Sequence, residues 1–137
     1  MLKNILVGFD GSPAAQRALN YALEMAGALG ARVRVLYAVP LPTGSPEAAA
    51  SLLADPEALH PDMAVQIAEP AAQSGVQVDF GVVPGSAGDV LLAEIRQGGV
   101  DQLVIGSSGR GTLARWLLGS VMSTLVGNSQ IPVTVVP

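Results

Sequence analysis

The chain has 137 residues, half of them apolar and only 13% charged, which suits one domain with a packed core and excludes disordered, collagen-like and coiled-coil classes. Eleven acidic against seven basic side chains leave a net charge of -4, so neither nucleic acid nor an anionic membrane surface is expected as a partner. There is no cysteine, which removes disulfides, thiolate metal sites and cysteine nucleophiles, while a single histidine, His60, and a single lysine, Lys3, leave no multi-histidine metal cluster and no Walker A loop.

The chain order of elements begins with residues 5–9, Ile-Leu-Val-Gly-Phe, which read as a buried strand ended by Asp10-Gly11. The same run is too short for a signal peptide or a membrane span, and a cytoplasmic location is the expectation. Ser12 is a good helix N-cap and Pro13 suits the first helical position. Ala15, Leu19, Ala22, Leu23 and Ala26 then form one apolar face, and Gly30 closes the helix. Residues 33–39 give a second strand. From Pro40 to Pro70 six prolines break the pattern and permit only short helices, and His60 is expected as a solvated loop residue there. A helix over 64–74, interrupted or kinked near Pro70, leads to a third strand at 76–82 and a helix at 89–96. A fourth strand at 102–105 ends at Gly106, and a helical stretch at 113–126 precedes a last strand at 131–136.

Continuous apolar strands alternating with helices predict an α/β single-domain fold, a doubly wound five-stranded parallel sheet covering residues 1–137. A ligand is then expected at the carboxyl ends of the strands where the order reverses, which is where Asp10 and Gly106 stand.

The segment after the fourth strand carries the strongest pattern: Gly106-Ser107-Ser108-Gly109, nine residues, then Gly119-Ser120. Backbone N–H groups of Ser107 to Gly109 could form an anion nest, and Ser120 could cap a helix whose amino end faces the same phosphate. Ser123, one turn further on, could reach a phosphate or simply bond within its helix. No acidic residue follows Asp101, whereas Arg110 and Arg115 fall inside this segment, and Arg110 is aimed most naturally at an anion. A relaxed dinucleotide fingerprint, Gly109-x-Gly111-x-x-Ala114, overlaps it but lacks the ribose-binding acid downstream. A phospho-accepting aspartate at Asp10 would need an acidic cluster and a strand-end lysine, and the sequence offers neither. Asp10 could instead close an Asx turn or ligate a metal, and both readings stand.

Asp10-Gly11-Ser12, Gly106-x-x-Gly109-x9-Gly119-Ser120 and the ending Ile131-Pro132-Val133-Thr134-Val135-Val136 together resemble the universal stress protein family, in its ATP-binding branch, over nearly the whole chain. Ser108 stands where that family often has histidine or arginine, and the 40–70 segment is shorter and less charged than the family's. The resemblance implies an adenine nucleotide alpha hydrolase-like sheet with strand order 3-2-1-4-5. It further implies ATP, with magnesium, its adenine near Ala38 and Val39. Ribose and phosphates would lie near Asp10, Gly106, Gly109, Arg110, Gly119, Ser120 and Val121, to which the reading of the residues adds Ser107, Ser108 and Ser123, with Asp10 the one candidate metal ligand. It also implies a homodimer paired through residues 132–136, with Trp116 and Leu117 either helping to bury that strand or packing in the core. The function expected is nucleotide sensing in a stress response more than turnover. A slow ATPase or phosphoryl- or nucleotidyl-transferring enzyme using the same loop, and a nucleotide-free interaction module, remain as alternatives.

Overall fold

The computed structural model describes residues 2–39, 61–107 and 131–137. His60 and the expected helical stretch at 113–126, with Trp116 and Leu117, lie outside the described residues. Five strands and three helices follow in the order β1 (Asn4–Gly8), α1 (Pro13–Leu29), β2 (Arg32–Val39), α2 (Pro61–Ser74), β3 (Val78–Pro84), α3 (Ala87–Arg96), β4 (Gln102–Gly106) and β5 (Val133–Val136). The strands form one sheet in the order β3-β2-β1-β4-β5, every neighbouring pair parallel, as the sequence led us to expect.

Both faces of this sheet are buried, which is why its strands carry unbroken apolar runs. Ile5, Val7 and Phe9 point to one side, where they meet α1 and Ile67 of α2. Leu6 points to the other, where it joins Leu36, Leu103 and Ile105 under Val90 and Leu91 of α3. Every position assigned to the apolar face of α1 is buried, and four of its buried residues, Ala14, Ala18, Ala22 and Ala26, repeat at one-turn spacing. Such small side chains let the helix axis come close to the strands. The Ser12 hydroxyl accepts from the Ala15 N–H at 3.2 Å, Pro13 opens the helix, and the Gly30 N–H closes it on the Ala26 carbonyl.

Several boundaries differ from expectation by one to three residues, α3 for example starting at Ala87, and four of them have a local reason. β3 starts two residues late: Val76 donates its N–H to the Ser74 hydroxyl and its side chain packs against the α1 cluster, so its apolar character serves a helix contact and not the ladder. β3 also runs on to Pro84, which an edge strand tolerates at its end because no N–H is required there. α2 begins at Pro61, three residues early, and continues through Pro70. A proline cannot donate to the carbonyl four residues back. That carbonyl, of Gln66, accepts instead from the Gln16 side-chain amide of α1 at 3.3 Å. β5 is shorter than expected, starting at Val133, although the Pro132 carbonyl already accepts from the Leu103 N–H at 3.0 Å.

At the amino end of the sheet Asp101 fastens the start of β1, one carboxylate oxygen accepting from the N–H groups of Lys3 at 2.8 Å and Asn4 at 2.9 Å. These two bonds, the Lys3 bond foremost, hold the Asp101 carboxyl below its ordinary pKa against a small opposing effect of burial. A carboxyl whose folded-state pKa is depressed stabilises the fold above its unfolded-state pKa, and that stabilisation disappears as pH falls through the folded value. Urea unfolding midpoints followed from pH 7 to pH 2 should therefore drop below pH 4 in the natural protein and drop less steeply in Asp101→Asn, which should also be the less stable of the two at pH 7.

Candidate functional site

Because all five strands run in one direction, their carboxyl ends meet on one rim. The chain leaves β1 toward β2 and leaves β4 toward β5, yet β1 and β4 are neighbours, so the crevice between their ends is the point where the winding reverses. Asp10 follows β1 on one side of it, and Gly106 and Ser107 end β4 on the other. β2 extends past β1: Gly8 is level with Leu36, which places Ala38 and Val39 beyond the end of β1. Val39 is buried and Ala38 half-buried, giving the rim one apolar stretch.

The Asx-turn reading of Asp10 is realised, since its Oδ1 accepts from the Ser12 N–H at 2.9 Å. The carboxylate therefore organises the turn into α1 and remains half-buried at the crevice. Gly11 between them has φ +81°, a conformation that L side chains rarely adopt. Gly106 has a reason to be glycine that is independent of any ligand. A Cβ there would lie 2.7 Å from the Ala14 carbonyl carbon and 2.8 Å from its oxygen, so the first turn of α1 leaves no space for one. Ser107 is exposed, but its N–H donates to the Val136 carbonyl at 2.7 Å and extends the β4–β5 ladder. Its amide is thus already bonded within the sheet and is not spare for an anion nest. Ser108, Gly109, Arg110, Gly119, Ser120, Val121 and Ser123 lie outside the described residues.

Two contacts were not anticipated. Met63 and Gln66 of α2 pack over Gly11, the Met63 Cε lying 3.2 Å and the Gln66 Oε1 3.8 Å from where a Gly11 Cβ would be. No spacing in the sequence pairs residue 63 with residue 11. Ser86, by contrast, caps α3 by accepting from the Asp89 N–H at 3.3 Å, and the Ser86-x-x-Asp89 pattern could have announced it. Among the described residues no three His, Cys, Asp or Glu side chains gather to hold a metal ion. Two clefts of about 200 and 400 Å³ lie on the α3 face, around Arg34 and Glu94, and neither includes Asp10, Gly106 or Ser107.

Comparison with known proteins gives a consistent result. Residues 1–137 match the model of the universal stress protein family. A universal stress protein of Mycobacterium tuberculosis is 32% identical over 152 aligned positions, covering 97% of this chain and 47% of its own, so the chain spans about half the length of that relative. Among solved structures, the universal stress protein UspA from Lactobacillus plantarum superposes with a TM-score of 0.73 at 28% identity, covering 98% of this chain and 97% of that one. A universal stress protein in complex with cAMP superposes with a TM-score of 0.75 at 26% identity, with 98% and 97% covered.

The packing at Gly106 and the turn at Asp10 can be checked by denaturant unfolding. Gly106→Ala should cost about 1–3 kcal/mol in the absence of any ligand, as overpacking against a backbone does. Asp10→Asn keeps an oxygen acceptor for the Ser12 N–H and should stay within about 0.5 kcal/mol of the natural protein, whereas Asp10→Ala should lose about 1 kcal/mol.

Proposed function

The chain belongs to the universal stress protein family, and from that premise we propose that residues 1–137 form one ATP-binding domain of a cytoplasmic protein that senses nucleotide as a homodimer. The observation that carries this reading is the crevice between β1 and β4, flanked by Asp10 on one side and by Gly106 and Ser107 on the other. An adenine nucleotide, the ligand class named for the relative in complex with cAMP, is a guest such a crevice suits. The apolar rim at Ala38 and Val39 fits a purine ring. The half-buried carboxylate of Asp10 and the exposed Ser107 fit ribose hydroxyls or a magnesium ion, an ion that prefers hard oxygen donors. Phosphates would be held by Ser108, Gly109, Arg110, Gly119, Ser120, Val121 and Ser123. When bound, magnesium would neutralise phosphate charge, and Asp10 is the side chain that would hold it.

Binding is favoured over turnover because hydrolysis needs a positioned base, and Asp10, the one acid at the crevice among the described residues, already uses Oδ1 to hold the α1 turn. β5 supports the homodimer: it is the last strand of the sheet, and its Val135 is 45% exposed. A second copy of residues 132–136 laid antiparallel across a two-fold axis would cover that edge. No described helix is long and apolar enough to cross a membrane.

Calorimetric titration of nucleotide-stripped protein with ATP, with and without magnesium, tests the site. Saturable binding at micromolar ATP, abolished by Gly119→Val and changed less than about tenfold by Asp10→Asn, is the expected outcome. No binding at millimolar ATP would sink the nucleotide reading. Sedimentation should show Val135→Lys as a monomer and the natural chain as a dimer, since a charge on an edge strand blocks pairing.

A further inference from the structure

With no cysteine in the chain, the oxidisable sulfur resides in four methionines, Met1, Met25, Met63 and Met122, of which Met25 and Met63 are among the described residues. Both are half-buried and pack against the α1 cluster. Met63 differs in what else it touches. Its Cε and Cγ lie 3.2 Å and 3.9 Å from the Cβ position of Gly11, so the Met63 side chain packs over Gly11 with its methyl group foremost. Gly11 is the residue whose left-handed φ joins Asp10 to the Ser12 cap, and the Asp10–Ser12 bond spans it. α2 is held in this position from the other side by the Gln16–Gln66 bond.

From this placement we propose that Met63 is a reversible oxidation site whose sulfoxide displaces the Asp10–Gly11–Ser12 turn. The oxidant is a hydroperoxide. A sulfur lone pair attacks the terminal peroxide oxygen, the S–O bond forms as the O–O bond breaks, and the departing oxygen takes up the proton given up by the attacked one, leaving as an alcohol, or as water when the oxidant is hydrogen peroxide. Sulfur loses two electrons and the peroxide gains them. The product replaces a flexible apolar thioether by a polar, pyramidal group with an added oxygen. The apolar, half-buried setting opposes that polarity, and an oxidised Met63 that leaves its seat takes with it the packing over Gly11 that holds the turn. Met25 packs on the same cluster but has no contact with the turn among those around Gly11. The effect on the turn stands on geometry alone; its effect on ATP rests on the nucleotide reading above.

The test treats the full-length natural protein, Met63→Leu and Met25→Leu with hydrogen peroxide. Sulfoxide is located by peptide mass spectrometry, the Gly11 and Ser12 amide resonances are followed by NMR, and ATP is titrated before and after. Expected are oxidation of Met63 in the folded protein, displaced Gly11 and Ser12 resonances, and ATP affinity weakened about fivefold or more, the shape-conserving Met63→Leu being immune and methionine sulfoxide reductases restoring the original state. Met63→Gln, a polar substitute, should reproduce the displaced resonances without peroxide. Unchanged Gly11 and Ser12 resonances with Met63 fully oxidised would overturn the proposal, as would a Met63 that resists oxidation while Met25 reacts, or an equal loss of affinity in Met63→Leu. If untreated protein binds no ATP the nucleotide reading falls, and the resonances still decide the role of Met63.

Discussion

The first turn of α1 lies directly on the carboxyl end of β4, with the Ala14 backbone occupying the space a side chain at Gly106 would need. Much of the rim geometry follows from that contact. α1 leaves from β1, whose last residue is Gly8, and only four residues separate the two elements. Once the turn is seated on β4, the ends of β1 and β4 are fixed relative to each other, and Asp10 has little freedom to stand anywhere but the crevice between them. The row of alanines along α1 continues the close approach over the rest of the sheet, and the Leu91 side chain does the same at Gly8 from the opposite face. Tight spacing between layers is what makes this rim rigid.

The glycine pattern after β4 therefore carries two kinds of demand at once. Gly106 is required by packing, whatever the crevice holds, and Ser107 lends its amide to β5. A sequence cannot separate these demands, because a glycine that admits a helix backbone and a glycine that admits a phosphate are the same letter. Much else was legible. The doubly wound parallel class followed from apolar runs alternating with helical spacing and the strand order from the family resemblance, while the Ser12 cap, Pro13 and the Asp10 turn followed from local chemistry that needs no partner elsewhere. What escaped was set by distant contacts: Val76, apolar because it touches α1; α2, held unbroken through Pro70; and Met63, placed over Gly11 by the crossing of two helices.

Among the described residues, charged side chains fasten elements at both ends of the sheet. The amino end holds the Asp101 clamp on β1 and an Arg34–Glu94 ion pair at 2.8 Å joining β2 to α3. With the Arg34 side chain 49% exposed, that pair adds little to stability, and the apolar layers supply most of what holds α3 in place. At the carboxyl end the Asp10 carboxylate is placed by a bond within its own turn. The amino end of the sheet is thus tied by charged groups, and at the carboxyl end Arg17 of α1 also donates to the Pro137 carbonyl at 2.8 Å.

The proline within α2 has a consequence for how the molecule opens. By leaving the Gln66 carbonyl without its helical donor, Pro70 gives α1 a handle on α2 through Gln16. Otherwise α2 is lightly anchored, with Ile67 its one buried residue, whereas α1 buries seven. Among the described helices, burial alone would make the amide hydrogens of α2 exchange fastest and those of α1 slowest, with the chain loosening from α2 inward while the β1–α1–β4 unit is still closed.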